Sequence, residues 1–199
     1  MFISGTSKIR KQTIYQQGTL TFEGTSVSLD DFLTGAYDYL SPEYPKFYKM
    51  DRLAKLGFLA TEILLRDLPI KQYAPEAVSL VLSNAHASLD TDVRYHEAAK
   101  TSSSPALFVY TLPNIVSGEI CIRHKIKGEN TFFVSSSFDA ELHEAYVNQV
   151  MQQPSVQACI AGWIDVMDSH HDVFLYLIEK EKRGLALPHT AEELTKLYR

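Results

Sequence analysis

Residues 131–180 read TFFVSSSFDAELHEAYVNQVMQQPSVQACIAGWIDVMDSHHDVFLYLIEK, and this stretch decides the fold class. A β-rich apolar run at residues 131–135 is followed by helical periodicity over residues 138–152. Two further apolar runs, at residues 156–164 and 172–180, have the composition of buried strands. A crossover helix between parallel strands needs about a dozen residues, and the residues that connect these two runs, 165–171, are too few for one. We therefore expect this last pair of strands to be antiparallel.

The earlier part of the chain repeats this alternation of strand and helix. We expect strands over residues 2–9 and 77–82, and helices over residues 50–65, 88–99 and 113–124. Ser88 is expected to cap one helix, the serine-rich residues 101–105 to form a turn, and Thr190 with Glu193 to begin a last short helix. The alternation predicts an α/β domain whose mixed sheet of about five strands is flanked by helices. We expect one domain over residues 1–199, with a helical tail from about residue 184.

Composition and charge exclude several classes of protein. The chain has 199 residues, 45% of them hydrophobic, and its net charge of −5 argues against an electrostatic nucleic-acid binder. The two cysteines match no disulfide framework, which is typical of a reducing compartment. No signal peptide is recognisable, and the longest apolar run, residues 173–178, is too short to span a membrane. We expect a cytoplasmic protein.

Candidate reactive residues are few. The seven histidines lack metal-ligand spacing, and no phosphate-binding glycine motif is present, so we expect neither a metal nor a cofactor. Ser135, Ser136 and Ser137 lie between a strand and a helix, where nucleophiles often occur, with His143 as the nearest candidate base. A capping serine in a polar turn is the simpler interpretation. The basic residues 123–127 fit either an anionic partner, such as a phosphopantetheine carrier, or a solvated helix end.

Several motifs, in order, resemble the N-terminal half of β-ketoacyl-acyl carrier protein synthases. The opening FISGTSKI, the helix start MDRLAK and the stretch SPALFVYTLPN resemble segments of that family. The stretch GEICIRHKIKGEN is similar to the family's GxIAIRHGLKGPN, FFVSS to its strand before the nucleophile, and IAG to its xAGG strand. The resemblance covers most of residues 1–180. It implies a thiolase-like half-domain.

Two departures from the family bear on catalysis. The family's nucleophilic cysteine ends the motif VSSAC, whereas this chain reads VSSSF, which places Phe138 at the nucleophile position. Phenylalanine has no nucleophilic atom. The family's two catalytic histidines come from the second half of a synthase, which this sequence does not contain. The resemblance therefore implies a non-catalytic subunit, similar to chain-length factors, with no catalytic residue of its own.

The resemblance also implies where a partner binds. In the family, the strand before the nucleophile pairs with its twin across a dimer axis, so we expect an interface at Thr131, Phe132, Phe133, Val134 and Ser135. In the helix that follows, we expect Phe138, Leu142, Ala145 and Tyr146 to face the sheet and the face carrying Glu141, Glu144 and Asn148 to be wet. The leucines after residue 184 suggest that the tail covers part of the exposed surface.

The sequence thus favours a subunit that pairs with a full-length ketosynthase, or with itself, in fatty-acid or polyene and pigment biosynthesis. An acyl carrier protein is a further expected partner. Two alternatives stay open: an acyl hydrolase or transferase that uses Ser136 or Ser137, and a lipid- or acyl-binding module.

Overall fold

The computed structural model describes residues 1–26, 28–102 and 104–199. Its strands are β1 Phe2–Arg10, β2 Thr13–Gln16, β3 Thr19–Glu23, β4 Val78–Asn84, β5 Asn130–Val134, β6 Ala158–Met167, β7 His170–Glu179 and β8 Leu187–Pro188. Its helices are α1 Leu29–Leu40, α2 Arg52–Leu65, α3 Leu89–Ala99, α4 Pro105–Val109, α5 Ile115–His124, α6 Ala140–Gln152 and α7 Ala191–Tyr198, with short 3₁₀ turns at Pro45–Lys49 and Pro75–Ala77. The turn predicted at residues 101–105 includes Ser103, which lies outside the described residues.

All eight strands of the described residues form one mixed sheet. Its order is β3-β2-β1-β7-β6-β4-β5. Strand β8 lies outside this order and pairs with Phe2 and Ile3 at the start of β1. Strand β4 is parallel to both β5 and β6, whereas β6 and β7 are antiparallel and β7 and β1 are antiparallel. The α/β class and the antiparallel last pair are confirmed.

The sheet has eight strands among the described residues, three more than the five or so that were expected. The three additional strands are β2, β3 and β8, which are two to five residues long and lack fully buried apolar runs. Hairpin geometry creates β2 and β3, because Lys11, Gln12 and Gln17 adopt positive φ at the two reversals of the chain. Strand β8 forms because the tail returns to pair with Phe2 and Ile3.

Helices cover both faces of the sheet. On one face, α1, α2 and α5 enclose the larger core, where Phe32, Phe47 and Phe58 have almost no exposure. On the other face, α6 and α7 enclose a smaller core around Phe174 and Tyr176. The two-sided covering explains why β4, β6 and β7 are almost entirely buried and read as continuous apolar runs.

Capping side chains set the starts of five of the described helices. Ser28, Asp51, Ser104, Asp139 and Thr190 each accept a hydrogen bond from the backbone N–H three residues ahead, so the cap expected at Thr190 is confirmed. Ser88 lies at the N-cap position of α3 but makes no cap bond. Its hydroxyl donates instead to the carbonyl of Thr111, at 2.9 Å, which ties α3 to the loop after α4.

The tail covers a face of α6 that was expected to be wet. Glu144 accepts a hydrogen bond from the backbone N–H of Ala191 at 2.6 Å, and Asn148 lies 2.8 Å from the imidazole of His189. Glu141 alone of the three residues on that face is exposed. The expected face of α6 toward the sheet is confirmed in part, because Phe138 and Tyr146 pack against the smaller core. The helix buries His143, Val147, Val150 and Met151 instead of Leu142 and Ala145, which are half-buried and exposed respectively.

Candidate functional site

The turn after β5 lies at the carboxyl end of the parallel strands. Val134 pairs with Asn84 of β4, and the N–H of Ser135 continues the pairing by donating to the Asn84 carbonyl at 2.9 Å. Ser136 and Ser137 are exposed at the tip of the turn. A cleft of about 620 Å³ separates this turn from α7.

Phe138 turns its ring inward beneath this cleft. The centre of the ring lies 4.7 Å from that of Tyr198, 5.0 Å from that of His143 and 5.5 Å from that of Phe174. The guanidinium of Arg10 lies over the Tyr198 ring, at 4.4 Å from its centre. Aromatic pairs at these separations add to the hydrophobic stabilisation of a core. Phe138 is therefore an anchor between the turn and the C-terminal helix.

His143 belongs to a buried hydrogen-bond network. Its Nε2 lies 2.7 Å from the Ser83 hydroxyl and its Nδ1 lies 3.1 Å from the Tyr176 hydroxyl. Ser83 donates its own proton to the carbonyl of Gly162, at 3.4 Å, so it accepts from Nε2–H, and Tyr176 donates to Nδ1. All three side chains are 0–1% exposed. Burial lowers the pKa of His143 to about 4, which keeps its imidazole neutral at pH 7.

The structure does not bring Ser137 and His143 together as a hydrogen-bonded pair. Both ring nitrogens of His143 are engaged by Ser83 and Tyr176, on the sheet side of α6, whereas Ser137 lies at the exposed tip of the turn. A general base must reach the proton that it abstracts. Ser135 makes a local bond instead, since its hydroxyl donates to the Ser137 carbonyl at 3.1 Å.

A second histidine, His86, is held by a buried carboxylate. Asp165 is 4% exposed; one of its oxygens lies 2.8 Å from Nδ1 of His86, and the other accepts from the backbone N–H groups of Ala85 and His86. The arrangement fixes the turn after β4 and the orientation of the His86 ring. The pairing could not be predicted from the sequence, because the two residues are 79 positions apart and no local motif connects them.

Strand β5, which carries the expected interface residues, lies at one edge of the sheet. Phe132 packs against the larger core and Phe133 against the smaller one, so the two rings lie on opposite faces of the sheet. The Thr131 hydroxyl lies 2.9 Å from that of Tyr146. The side chain of Val134 is 58% exposed. The outer backbone of β5 thus offers an unpaired edge among the described residues.

The two cysteines are embedded away from this turn. Burial raises the pKa of Cys121 to about 11 and raises that of the fully buried Cys159 further still. Among residues 1–26, 28–102 and 104–199, histidine, cysteine and carboxylate side chains form no group of three that could hold a metal ion. None of the helices in the described part of the chain is long and apolar enough to cross a membrane.

Comparisons with known proteins give the fold. No family model and no curated protein matches the sequence. A solved structure described as "The ishigamide ketosynthase/chain length factor" superposes on 94% of this chain with a TM-score of 0.66 and 18% identity. The chain has the thiolase-like fold of ketosynthase subunits. The expected thiolase-like fold is thereby confirmed.

Other structures with the ketosynthase fold agree. A β-ketoacyl synthase from Burkholderia phymatum covers 90% of this chain, with a TM-score of 0.61 and 10% identity. A ketosynthase in complex with its chain length factor, from Xenorhabdus doucetiae, covers 91%, with a TM-score of 0.55 and 12% identity. This chain spans 64% of the ishigamide chain, 59% of the Burkholderia chain and 80% of the Xenorhabdus chain.

Proposed function

We propose that this protein is a non-catalytic, ketosynthase-like subunit that pairs with a ketosynthase, or with a second copy of itself, in fatty-acid or polyene and pigment biosynthesis. The observation that carries the proposal is Phe138 at the strand-to-helix turn where the resembling family has its nucleophile. The Phe138 ring is packed among Tyr198, His143 and Phe174, so it fills space that a reacting acyl group needs. A hydrocarbon ring supplies no atom for thioester formation.

Exposed apolar side chains around β5 support a protein partner. Seven of the eleven large apolar side chains exposed among the described residues lie on β5, on α3, α4 and α5, or in the loop between α4 and α5; they are Leu89, Val93, Phe108, Val109, Leu112, Ile122 and Val134. Of these elements, α5 packs against β5 and α3 packs against α4. Exposed apolar side chains on neighbouring elements are typical of interaction surfaces. We call these seven residues and the β5 edge the β5 surface.

Hydrogen bonds connect the helices of the β5 surface. Ser88 at the start of α3 donates to Thr111, and the Tyr110 hydroxyl donates to Glu119 of α5 at 3.0 Å. Helix α5 in turn packs against β5. An edge strand with apolar flanks is suited to pairing with another strand, because main-chain bonds supply affinity and neighbouring side chains supply specificity.

The descriptions of similar structures favour a ketosynthase as the partner. The Xenorhabdus structure is of a ketosynthase with its chain length factor, and another, with a TM-score of 0.60 and 13% identity, is of an acyl-carrier protein in complex with its ketosynthase. By analogy, this protein would act as one cytoplasmic domain and bind the ketosynthase through the β5 surface. The ketosynthase would then carry out the reaction with the acyl carrier protein. No cofactor is required for such a role.

Light scattering after size-exclusion chromatography tests the proposal. The protein is run alone, together with a full-length ketosynthase from the same cell, and with an unrelated ketosynthase as control. A one-to-one complex with the cognate ketosynthase, or a homodimer, supports the proposal, and a monomer under all three conditions contradicts it. A fluorophosphonate probe addresses the alternative hydrolase. Labelling that disappears in the Ser137→Ala or Ser136→Ala variant would contradict the non-catalytic assignment.

A further inference from the structure

A second cleft lies at the opposite end of the sheet from Phe138. Its volume is about 600 Å³, which is in the range of small-molecule sites. It opens beside Val78, the first residue of β4, and Ile126, which precedes β5. Because β4 has seven residues at about 3.3 Å each, ~20 Å separates this cleft from the serine turn. The cleft is therefore distinct from the site at the serine turn and Phe138.

The floor of the cleft is apolar. Leu65, Ile70, Val78 and Ile126 line it and are between 2% and 8% exposed. Tyr73 contributes its ring, because its hydroxyl is already used in a 2.7 Å hydrogen bond to Glu179. An alkyl chain placed on this floor would remove apolar surface from water on both sides, at roughly 25 cal/mol per Å².

The rim of the cleft is cationic, although the protein as a whole carries a net charge of −5. Arg66, Lys71 and Lys125 line the cleft and are exposed, and none of them has a carboxylate within 4.0 Å among the described residues. Glu62 is the acidic residue of the cleft. It is neutralised by Arg123, whose guanidinium donates to both of its oxygens, at 2.8 and 3.1 Å. The rim thus has positive charge without a carboxylate partner; the Arg66 guanidinium lies over the ring of Tyr39, at 5.6 Å, while Lys71 and Lys125 are free of ion pairs among the described residues.

His124 adds a buried polar atom to the cleft. Its Nε2 lies 3.3 Å from an oxygen of Glu62 but makes no hydrogen bond of good geometry within the described structure. Burial lowers the pKa of His124 to about 4, against the opposing effect of the Glu62 carboxylate. The ring is therefore neutral at pH 7 and carries both a donor and an acceptor. Buried polar atoms without a well-formed hydrogen bond are uncommon in native proteins, and a ligand or a water can supply one here.

We propose that this cleft binds a small organic carboxylate with an apolar tail, such as a free fatty acid. The tail lies on the floor formed by Leu65, Ile70 and Val78, and the carboxylate meets Lys71 and Lys125 at the rim. A ligand needs both groups to bind well. A neutral alcohol would form no ion pair with the lysines, and a small anion would have no alkyl chain to cover the apolar floor. The proposal does not depend on the partner function, because the β5 surface takes no part in it.

Calorimetric titration with dodecanoate, below its micelle concentration, tests the cleft, with dodecanol as the uncharged comparison. We expect dodecanoate to bind at least tenfold more tightly than dodecanol. The Lys71→Ala/Lys125→Ala double variant should weaken dodecanoate binding at least tenfold. The Lys71→Arg/Lys125→Arg variant should retain it. A matched control, Lys100→Ala/Lys182→Ala, removes the same charge elsewhere and should bind like the native protein.

Hydrogen exchange locates the ligand and keeps the test independent of folding defects. Dodecanoate should protect amides in residues 62–78 and 123–126 and leave α6 and α7 unchanged. Equal binding of dodecanol, equal weakening in the control variant, or protection confined to residues outside the cleft would each overturn the proposal. Sedimentation of the protein with phosphatidylglycerol vesicles, without binding of monomeric dodecanoate, would also overturn the proposal. That result would assign the cationic rim to contact with a membrane surface.

Discussion

The ring of Phe138 lies 5.0 Å from the imidazole of His143, with the two planes inclined at 48°. Both residues belong to the turn and first helical turn that follow β5. Phe138 thereby separates the His143 network with Ser83 and Tyr176 from the exposed serines. A position that carries a nucleophile in the resembling family serves here to pack the helix and to shield a polar cluster from water.

Truncation of Phe138 should destabilise the protein. Because the ring is half-buried, we expect Phe138→Ala to lower the free energy of unfolding by about 2–3 kcal/mol, somewhat less than for a fully buried phenylalanine. Urea denaturation followed by circular dichroism measures the change. Phe108→Ala is the matched control, since that ring is 58% exposed. Equal losses in the two variants would show that Phe138 is not an anchor.

A single charge on the β5 edge should weaken association without unfolding the protein. The side chain of Val134 is exposed, so Val134→Lys adds an ammonium group to the proposed interface, as natural edge strands do to prevent pairing. We expect the Kd of the homodimer or of the ketosynthase complex to rise at least tenfold at an unchanged Tm. Leu20→Lys on β3, at the opposite edge of the sheet, is the control. If Leu20→Lys weakens association equally, the β5 surface is not the interface.

Acid should destabilise the protein through its buried histidines. The pKa values of His124, His143 and His189 are about 4 in the folded protein, against an ordinary value of 6.5. The unfolded chain therefore binds more protons between pH 6.5 and pH 4, so stability is complete above pH 6.5 and falls as the pH drops through that window. The expected slope is roughly 1.4 kcal/mol per pH unit for each histidine.

The variant His143→Gln identifies the source of this acid sensitivity. Glutamine stays neutral, so denaturation curves at pH 7, 6 and 5 should show a shallower dependence than in the native protein. His96 is exposed on α3, and His96→Gln should leave the slope as it was. A native slope in the His143→Gln protein would assign the acid sensitivity to other groups.

The docking of α7 should depend on one leucine. Leu194 is fully buried in the smaller core, and Leu194→Ala should cost about 2–4 kcal/mol of unfolding free energy. Amides of α7 should then exchange faster than those of α6. Lys196→Ala, on the solvent side of the same helix, should leave both properties unchanged. Unaltered exchange in the Leu194→Ala protein would mean that α7 does not rely on this contact.

Long-range periodicity and short motifs were sufficient to predict most of the central sheet. Strands β4, β6 and β7 are buried on both faces, so their apolar runs are unmistakable in the sequence. Helix α1 was missed although its signal was present: Ser28 caps it, and its buried residues Leu29, Phe32, Leu33, Ala36 and Tyr37 have helical spacing. Strands β2 and β3 gave no such signal, because their side chains are polar or half-exposed.

The candidate site was predictable in position but not in its contacts. The turn and Phe138 follow from local sequence order. The partners of His143 do not, since Ser83 and Tyr176 lie on separate strands and meet the helix only after the chain folds. The sequence order presented His143 only as the nearest candidate base for the serines of the turn. Tertiary packing instead rotated His143 inward, where two hydroxyl groups satisfy its nitrogens.

Reconstituted condensation measures the central claim most directly. Acyl- and malonyl-carrier protein are incubated with this protein alone, with the cognate ketosynthase alone, and with both proteins together, and condensed products are quantified by mass spectrometry. We expect no product from this protein alone, and with both proteins together a yield or chain length that the ketosynthase alone does not reach. The Ser136→Ala/Ser137→Ala variant should match the native protein. Condensation by this protein alone, or identical products from the ketosynthase with and without it, would contradict the account.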